Sequence, residues 1–141
     1  MRSGTAEAWG YNGTTFSGFP NLFMLAGPNT GIGHTSLVYM IEAQFPYILQ
    51  ALTLMEERGI AALDVRPDVQ EAFNEELQRK LVPSVWLTGG CSSWYLDKNG
   101  RNSTIWPDFT FKFARRLKRF DLENYYQELA PVPATKELAA V

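Results

Sequence analysis

The residues best suited by type and spacing to do chemistry lie between Gly27 and Ser36, in the stretch GPNTGIGHTS. Gly31, Gly33 and Ser36 follow the spacing of a relaxed G-x-G-x-x-G dinucleotide fingerprint, whose glycines let a pyrophosphate approach the backbone at a helix N-terminus. Two features weaken that match: Ser36 stands where the third glycine belongs, and no strand ending in an acid follows about twenty residues on. A simpler chemistry needs only a helix end. The first amides of a helix lack partners, and its dipole places roughly half a positive charge there, so a negative oxygen near Gly33 to Ser36 is stabilised. The plain alternative is that Thr35 or Ser36 caps its own helix and the glycines only shape the turn.

His34 is the single histidine and titrates near neutrality, as an acid or base does, or else it is a hydrogen-bonded structural residue. Cys91, in a Gly-Gly-Cys-Ser-Ser turn, has no base within sequence reach, and Ser36, Ser92 and Ser93 lack the G-x-S-x-G elbow. One cysteine and one histidine cannot close a structural zinc site. The residues therefore offer no catalytic set and no metal centre. Trp94 and Tyr95, followed by Arg101 and Asn102, gather flat rings and donors in one loop, suited to packing on a nucleotide or to an ordinary aromatic hairpin. The basic run Lys112, Arg115, Arg116, Lys118 and Arg119 interleaves with Phe109, Phe113, Leu117 and Phe120 at helical spacing, so it reads as a solvated face over a packed one.

The elements that must position these residues form an α/β pattern. Residues 1–18 read as an irregular lead-in. Leu22 to Ala26 is a short, wholly apolar run between Pro20 and Gly27, expected to be a strand covered on both faces. From Thr35 to Arg58 apolar residues recur every three or four positions. That predicts a long amphipathic helix, surviving Pro46 with a kink and stopped by Gly59. Ile60 to Val65 suits a brief strand, and Pro67 opens a second helix to about Leu81. Asn99-Gly100, between Ser92–Leu96 and Arg101–Trp106, predicts a β-hairpin. A basic helix from Phe109 to Phe120 follows, with Asp121 capping one more turn through Tyr125. Residues 19–129 make the body, and 130–141 read as a disordered tail.

A chain of 141 residues fits one domain, and its formal net charge of −2 offers no footprint for nucleic acid. No charge-free window of about eighteen apolar residues appears, so no membrane span is expected. One cysteine and no signal-peptide pattern at the start give a reduced, cytoplasmic setting. The aromatic content of 13% exceeds what an ordinary core of this size needs, so some rings face a ligand or a partner surface.

Taken in order, GFPNLFMLAGPNTGIGHTS, the MIEAQ of Met40 to Gln44 and GGCSSWYLDKNGRNSTIWP resemble the C-terminal portion of flavin-containing monooxygenases of the Baeyer–Villiger type, particularly the hydroxyacetophenone monooxygenase-like branch. The resemblance runs from about Gly13 to Tyr125. It implies a partial FAD domain (short strand, long helix) followed by a helix, a hairpin and a basic helix. It also implies that the FAD motif, the NADPH motif and the fingerprint between them lie in missing N-terminal domains, so that this piece is inactive alone. Gly27, Pro28, Asn29, His34, Thr35, Ser36 and Leu37 would pass beside the pyrimidine end of the flavin, aiming a positive helix terminus at N1 and O2. Trp94 would sit on a loop covering NADP, assisted by Arg101 and Asn102. The parent would insert one oxygen atom into a ketone or oxidise a soft heteroatom. The loop after Trp94 departs from the cyclic-ketone enzymes, which leaves the substrate-lining side chains open. The rival expectations are a small non-catalytic α/β domain that binds a partner through an aromatic surface, and a small dinucleotide-binding enzyme built on Gly31 to Ser36. A piece cut from a larger protein is also expected to self-associate through exposed apolar surface.

Overall fold

The computed structural model describes residues 9–31, 36–83, 96 and 100–131. Its spine is helix α1, Leu37–Arg58, which buries Met40, Gln44, Tyr47 and Ala51 along one stripe. These positions repeat at three and four residues, so the stripe follows directly from the helical period. Pro46 lies inside α1 without ending it. Gly59 does end it: at φ +62° it takes the left-handed turn, and its N–H reaches the carbonyls of Met55 and Glu56.

Strand β1, Ile60–Val65, leaves that turn, and helix α2, Pro67–Leu81, begins with its proline in the first turn. Helix α3 spans Thr110–Arg116, a 3₁₀ turn covers Leu122–Asn124, and strand β2 spans Tyr125–Leu129. Among the described residues, β1 and β2 form an antiparallel pair, with Val65 opposite Tyr125 and Leu63 opposite Gln127. The other edge of β1 is held by Asn21, whose N–H donates to Leu63 O at 3.0 Å while its side chain takes Leu63 N–H at 2.9 Å and reaches Ala61 O at 2.9 Å. One core joins all of these elements through Tyr11, Met40, Tyr47, Leu63, Phe73, Leu77, Phe113, Phe120 and Tyr125.

Four features differ from the sequence expectations. Leu22 to Ala26 is turn and coil, not strand; Met24 N–H bonds Thr14 O at 2.8 Å, and Asn21 and Ala26 at either end have positive φ. An apolar strand needs hydrogen-bonded neighbours on its edges and cover on its faces. Here Leu22, Met24 and Leu25 stay exposed.

The expected basic helix is two turns long, and the further turn after Asp121 forms as a 3₁₀ turn over Leu122–Asn124 that stops one residue short, β2 beginning at Tyr125. Asp121 stands at the N-cap of that turn and its carbonyl accepts the Asn124 N–H at 2.9 Å, but its carboxylate makes no capping bond, because it accepts hydroxyls from Tyr11 and Tyr47 and the Asn124 side-chain amide. Of the hairpin, Leu96 and Asn102 form an antiparallel bridge, but 101–106 is a bend built around Asn102 and paired in parallel with Gly31. Ser92 to Tyr95 and Asn99 lie outside the described residues, as do residues 132–141 of the tail. The lead-in is irregular yet central: Tyr11, Asn12, Thr14 and Thr15 are buried.

Candidate functional site

The turn from Gly27 to Gly31 is built by backbone contact. A Cβ on Gly27 would stand 2.5 Å from Gly13 O, and one on Gly31 would stand 2.7 Å from Thr104 O. These glycines therefore serve the close approach of chain to chain. The turn's donors are likewise spent internally. Asn29 N–H donates to Ser103 O and Gly31 N–H to Thr104 O, both at 2.8 Å, while Trp106 N–H returns to Gly31 O at 2.7 Å. The Asn29 side chain, buried, gives its Nδ2 to Asn102 O and Ile105 O, each at 2.9 Å. Thr30 Oγ1 closes the turn on Gly27 O at 2.7 Å.

Where this turn meets the beginning of α1, a cavity of about 380 Å³ opens. Gly27, Pro28, Thr30 and Gly31 form one wall, Leu37 another, and Ser103 with Thr104 a third; Phe16 and Met24 make the apolar floor. Helix α1 starts here with no acid in its first turn and no side-chain cap from Ser36, whose backbone is extended. The leading amides of a helix left this way favour an anionic or electron-rich group. An apolar slot beside a positive helix end is the result.

The sequence candidates therefore separate. Gly27, Pro28 and Leu37 meet at the cavity, and Ser36 marks the exposed helix entry. Asn29 and Asn102 stand behind its wall, with Asn29 Nδ2 and Asn102 Oδ1 engaged inside the chain. Arg101 is elsewhere, 5.1 Å over the Trp9 ring, in a hollow of about 810 Å³ against Gln70, Asn74 and Gln78 of α2. His34, Thr35, Trp94 and Cys91 lie outside the described residues.

Sequence reading missed Gln44. Fully buried on α1, it donates to Gly13 O at 2.7 Å and Thr14 Oγ1 at 2.9 Å and accepts Ala26 N–H at 2.9 Å, so it fixes the floor of the cavity. An amide at a core position of an otherwise apolar stripe was the available signal.

Beneath the site, Tyr11, Tyr47 and Tyr125 surround Asp121. Burial, then the hydrogen bond and charge of Asp121, push the Tyr11 hydroxyl up to about 12. Burial first, and then Tyr125 and Asp121, raises Tyr47 as well; burial raises Tyr125 against the opposing hydrogen bonds of Thr15 and Tyr47. These phenols stay protonated at neutral pH and act as ties between segments. Two of the three basic residues of α3, Arg116 and Lys112, are also matched. Arg116 donates to Asn12 Oδ1 at 2.7 Å, lies 4.7 Å over the Phe73 ring and approaches Glu76 at 3.5 Å. Lys112 pairs with Asp108 at 2.9 Å. Among the described residues no cluster of His, Cys, Asp and Glu could hold a metal ion, and no helix is long and apolar enough to cross a membrane.

No protein-family model matches the chain. It is 54% identical over 125 residues to a Baeyer-Villiger monooxygenase of Pseudomonas aeruginosa, covering 88% of this chain and 24% of that protein. It is 44% identical over 135 residues to a Baeyer-Villiger monooxygenase of Streptomyces coelicolor, covering 92% and 26%. An FAD-binding monooxygenase of Aspergillus niger, ktnD, shares 31% over 113 residues, which is 77% of this chain and 19% of that protein. The fold is similar to part of cyclohexanone monooxygenase from Rhodococcus sp. Phi1 bound to NADP+, with a TM-score of 0.72 at 21% identity over 88% of this chain and 24% of that one. It is also similar to part of an oxidized steroid monooxygenase bound to NADP, with a TM-score of 0.70 at 21% identity over 86% and 23%. The chain thus spans between 19% and 26% of the length of these proteins.

Proposed function

The chain belongs to the Baeyer–Villiger type of flavin monooxygenases, and on that premise we propose that it completes the FAD site of a longer protein and carries its NADP-covering loop. The observation that carries this reading is the coincidence of the apolar cavity with the start of α1, which takes no side-chain cap from Ser36. One edge of an isoalloxazine suits that place: Pro28, Leu37 and Met24 offer apolar contact, and the helix dipole favours the negative charge that a reduced flavin gathers at N1 and O2. Gly27, Pro28 and Leu37 would touch the cofactor, with His34, Thr35 and Ser36 continuing the same entry. Asn29 and Asn102 would hold the wall, and Trp94 with Arg101 would belong to the NADP side. When bound, FAD supplies oxygen transfer to a ketone or a soft heteroatom, and NADPH supplies the reducing hydride. The protein's share is to orient, to shield from water and to stabilise charge.

The rest of the longer protein also needs a seat. Val38, Phe45, Leu49 and Leu52 lie along one outer face of α1 and are 48–61% exposed. An apolar stripe of this kind marks a contact surface, and we assign it to the absent N-terminal domains. On the rival reading, an independent partner-binding domain, the stacked pair Phe109 and Phe111 would be the contact, and the chain would melt cooperatively as a monomer.

Leu37→Asp tests the cofactor reading with effects of opposite sign. An acid in the first turn strengthens a helix by about 0.3–1 kcal/mol but repels an anionic guest at the same amides. In the longer protein, FAD titration should show weaker binding while the melting temperature holds or rises. Unchanged FAD affinity would remove the reading.

A further inference from the structure

Gln78 sits on the inner face of α2, one turn before its end, and closes a two-point pair with the backbone of Asn102. Gln78 Nε2 donates to Asn102 O at 2.9 Å, and Asn102 N–H donates to Gln78 Oε1 at 3.2 Å. A side-chain amide here does what a neighbouring strand would do. Asn102 is fully buried, and its Oδ1 accepts the N–H groups of Thr104 at 3.0 Å and Ile105 at 2.9 Å, which bends the chain. Its carbonyl also accepts Asn29 Nδ2 at 2.9 Å. Beyond Asn29, the carbonyls of Ser103 and Thr104 hold Asn29 N–H and Gly31 N–H. A continuous hydrogen-bonded series therefore runs from α2 to the wall of the cavity.

The same pair ties α2, which ends at Leu81, to a residue 24 positions beyond Gln78. Asn102 Nδ2 is buried with no acceptor among the described residues. That is a cost which a residue chosen for stability alone avoids. Asn102 is thus better explained by where it puts the backbone of Ser103 and Thr104.

We infer that Gln78, a residue of α2 outside the cavity, is a positioning residue for it, acting through Asn102 and Asn29 on Thr104 and Gly31. The inference rests on reading that cavity as a flavin wall.

The test compares Gln78→Leu and Gln78→Glu in the full-length protein that carries this segment, with Lys80→Ala on the outer side of α2 as control. Glutamate keeps the acceptor for Asn102 N–H and loses the donor to Asn102 O, so it should fall between wild type and Leu. Amide hydrogen exchange at Asn29, Gly31 and Trp106 should speed up about tenfold in Gln78→Leu while α1 and β1 keep their protection. The FAD dissociation constant should rise by a similar factor of about ten. Faster exchange confined to α2 and Asn102 would overturn the inference. Gly31→Ala separates the two levels. If it weakens FAD binding and Gln78→Leu does not, the positioning role falls and the cavity reading stands. If neither changes FAD binding, the cavity reading falls.

Discussion

The hydroxyl of Tyr47, midway along α1, lies 2.6 Å from Oδ1 of Asp121, 74 residues further on. The other oxygen of that carboxylate takes the Tyr11 hydroxyl and Asn124 Nδ2. Three distant segments are thereby fastened at one half-buried point. Tyr47→Phe removes the donor and also deprives Asn12 Nδ2 and the Tyr125 hydroxyl of a partner. Urea unfolding should show a loss of about 1–3 kcal/mol.

The same cluster sets an alkaline limit. Tyr11 is raised from 10.0 to about 12 in the folded state, so folding favours its protonated form. The stabilisation is complete below pH 10 and is lost as pH rises from there toward about 12, with Tyr47 and Tyr125 acting in the same direction. Thermal melts between pH 8 and 12.5 should decline over that window, and Tyr11→Phe should flatten part of the decline.

Gly31→Ala should destabilise through a clash, since its Cβ would meet backbone oxygen at 2.7 Å. A loss of about 1–3 kcal/mol is expected, with the parallel contact of Gly31 and Ile105 opened. Gly59 differs, because open space surrounds it and only its φ of +62° is demanding. Gly59→Ala should cost about 1 kcal/mol and Gly59→Asn distinctly less, as asparagine tolerates the left-handed turn.

Phe45→Ser with Leu49→Ser alters the outer face of α1, whose buried side does not include either residue. The melting temperature of the chain alone should hardly change. Association with the upstream domains, supplied as a separate polypeptide, should be lost in a pull-down or sizing experiment.

Much of the fold was legible where periodicity and punctuation agree. Helix α1, the Gly59 stop, β1 and the Pro67 start of α2 all announce themselves locally. Strand β2 did not, since YYQEL buries only Tyr125 and shows no alternation. The run Leu22 to Ala26 misled for the opposite reason, being apolar yet exposed. At the site, Gly27, Pro28 and Leu37 were readable as neighbours of a helix entry. The pairing of Asn29 with Asn102 spans 73 residues, and no local pattern encodes such a contact. Gln44 and Gln78 were within reach, as lone amides facing inward from amphipathic helices.

Asn21 has a consequence for assembly. By supplying N–H, carbonyl-like oxygen and amide groups to Ala61 and Leu63, a single residue imitates an adjoining strand and occupies the middle of that edge of β1. Edge-wise recruitment through this sheet is thereby directed to the far side of Tyr125–Leu129. There Gln127 and Glu128 interrupt an otherwise sticky border between Tyr126 and Leu129.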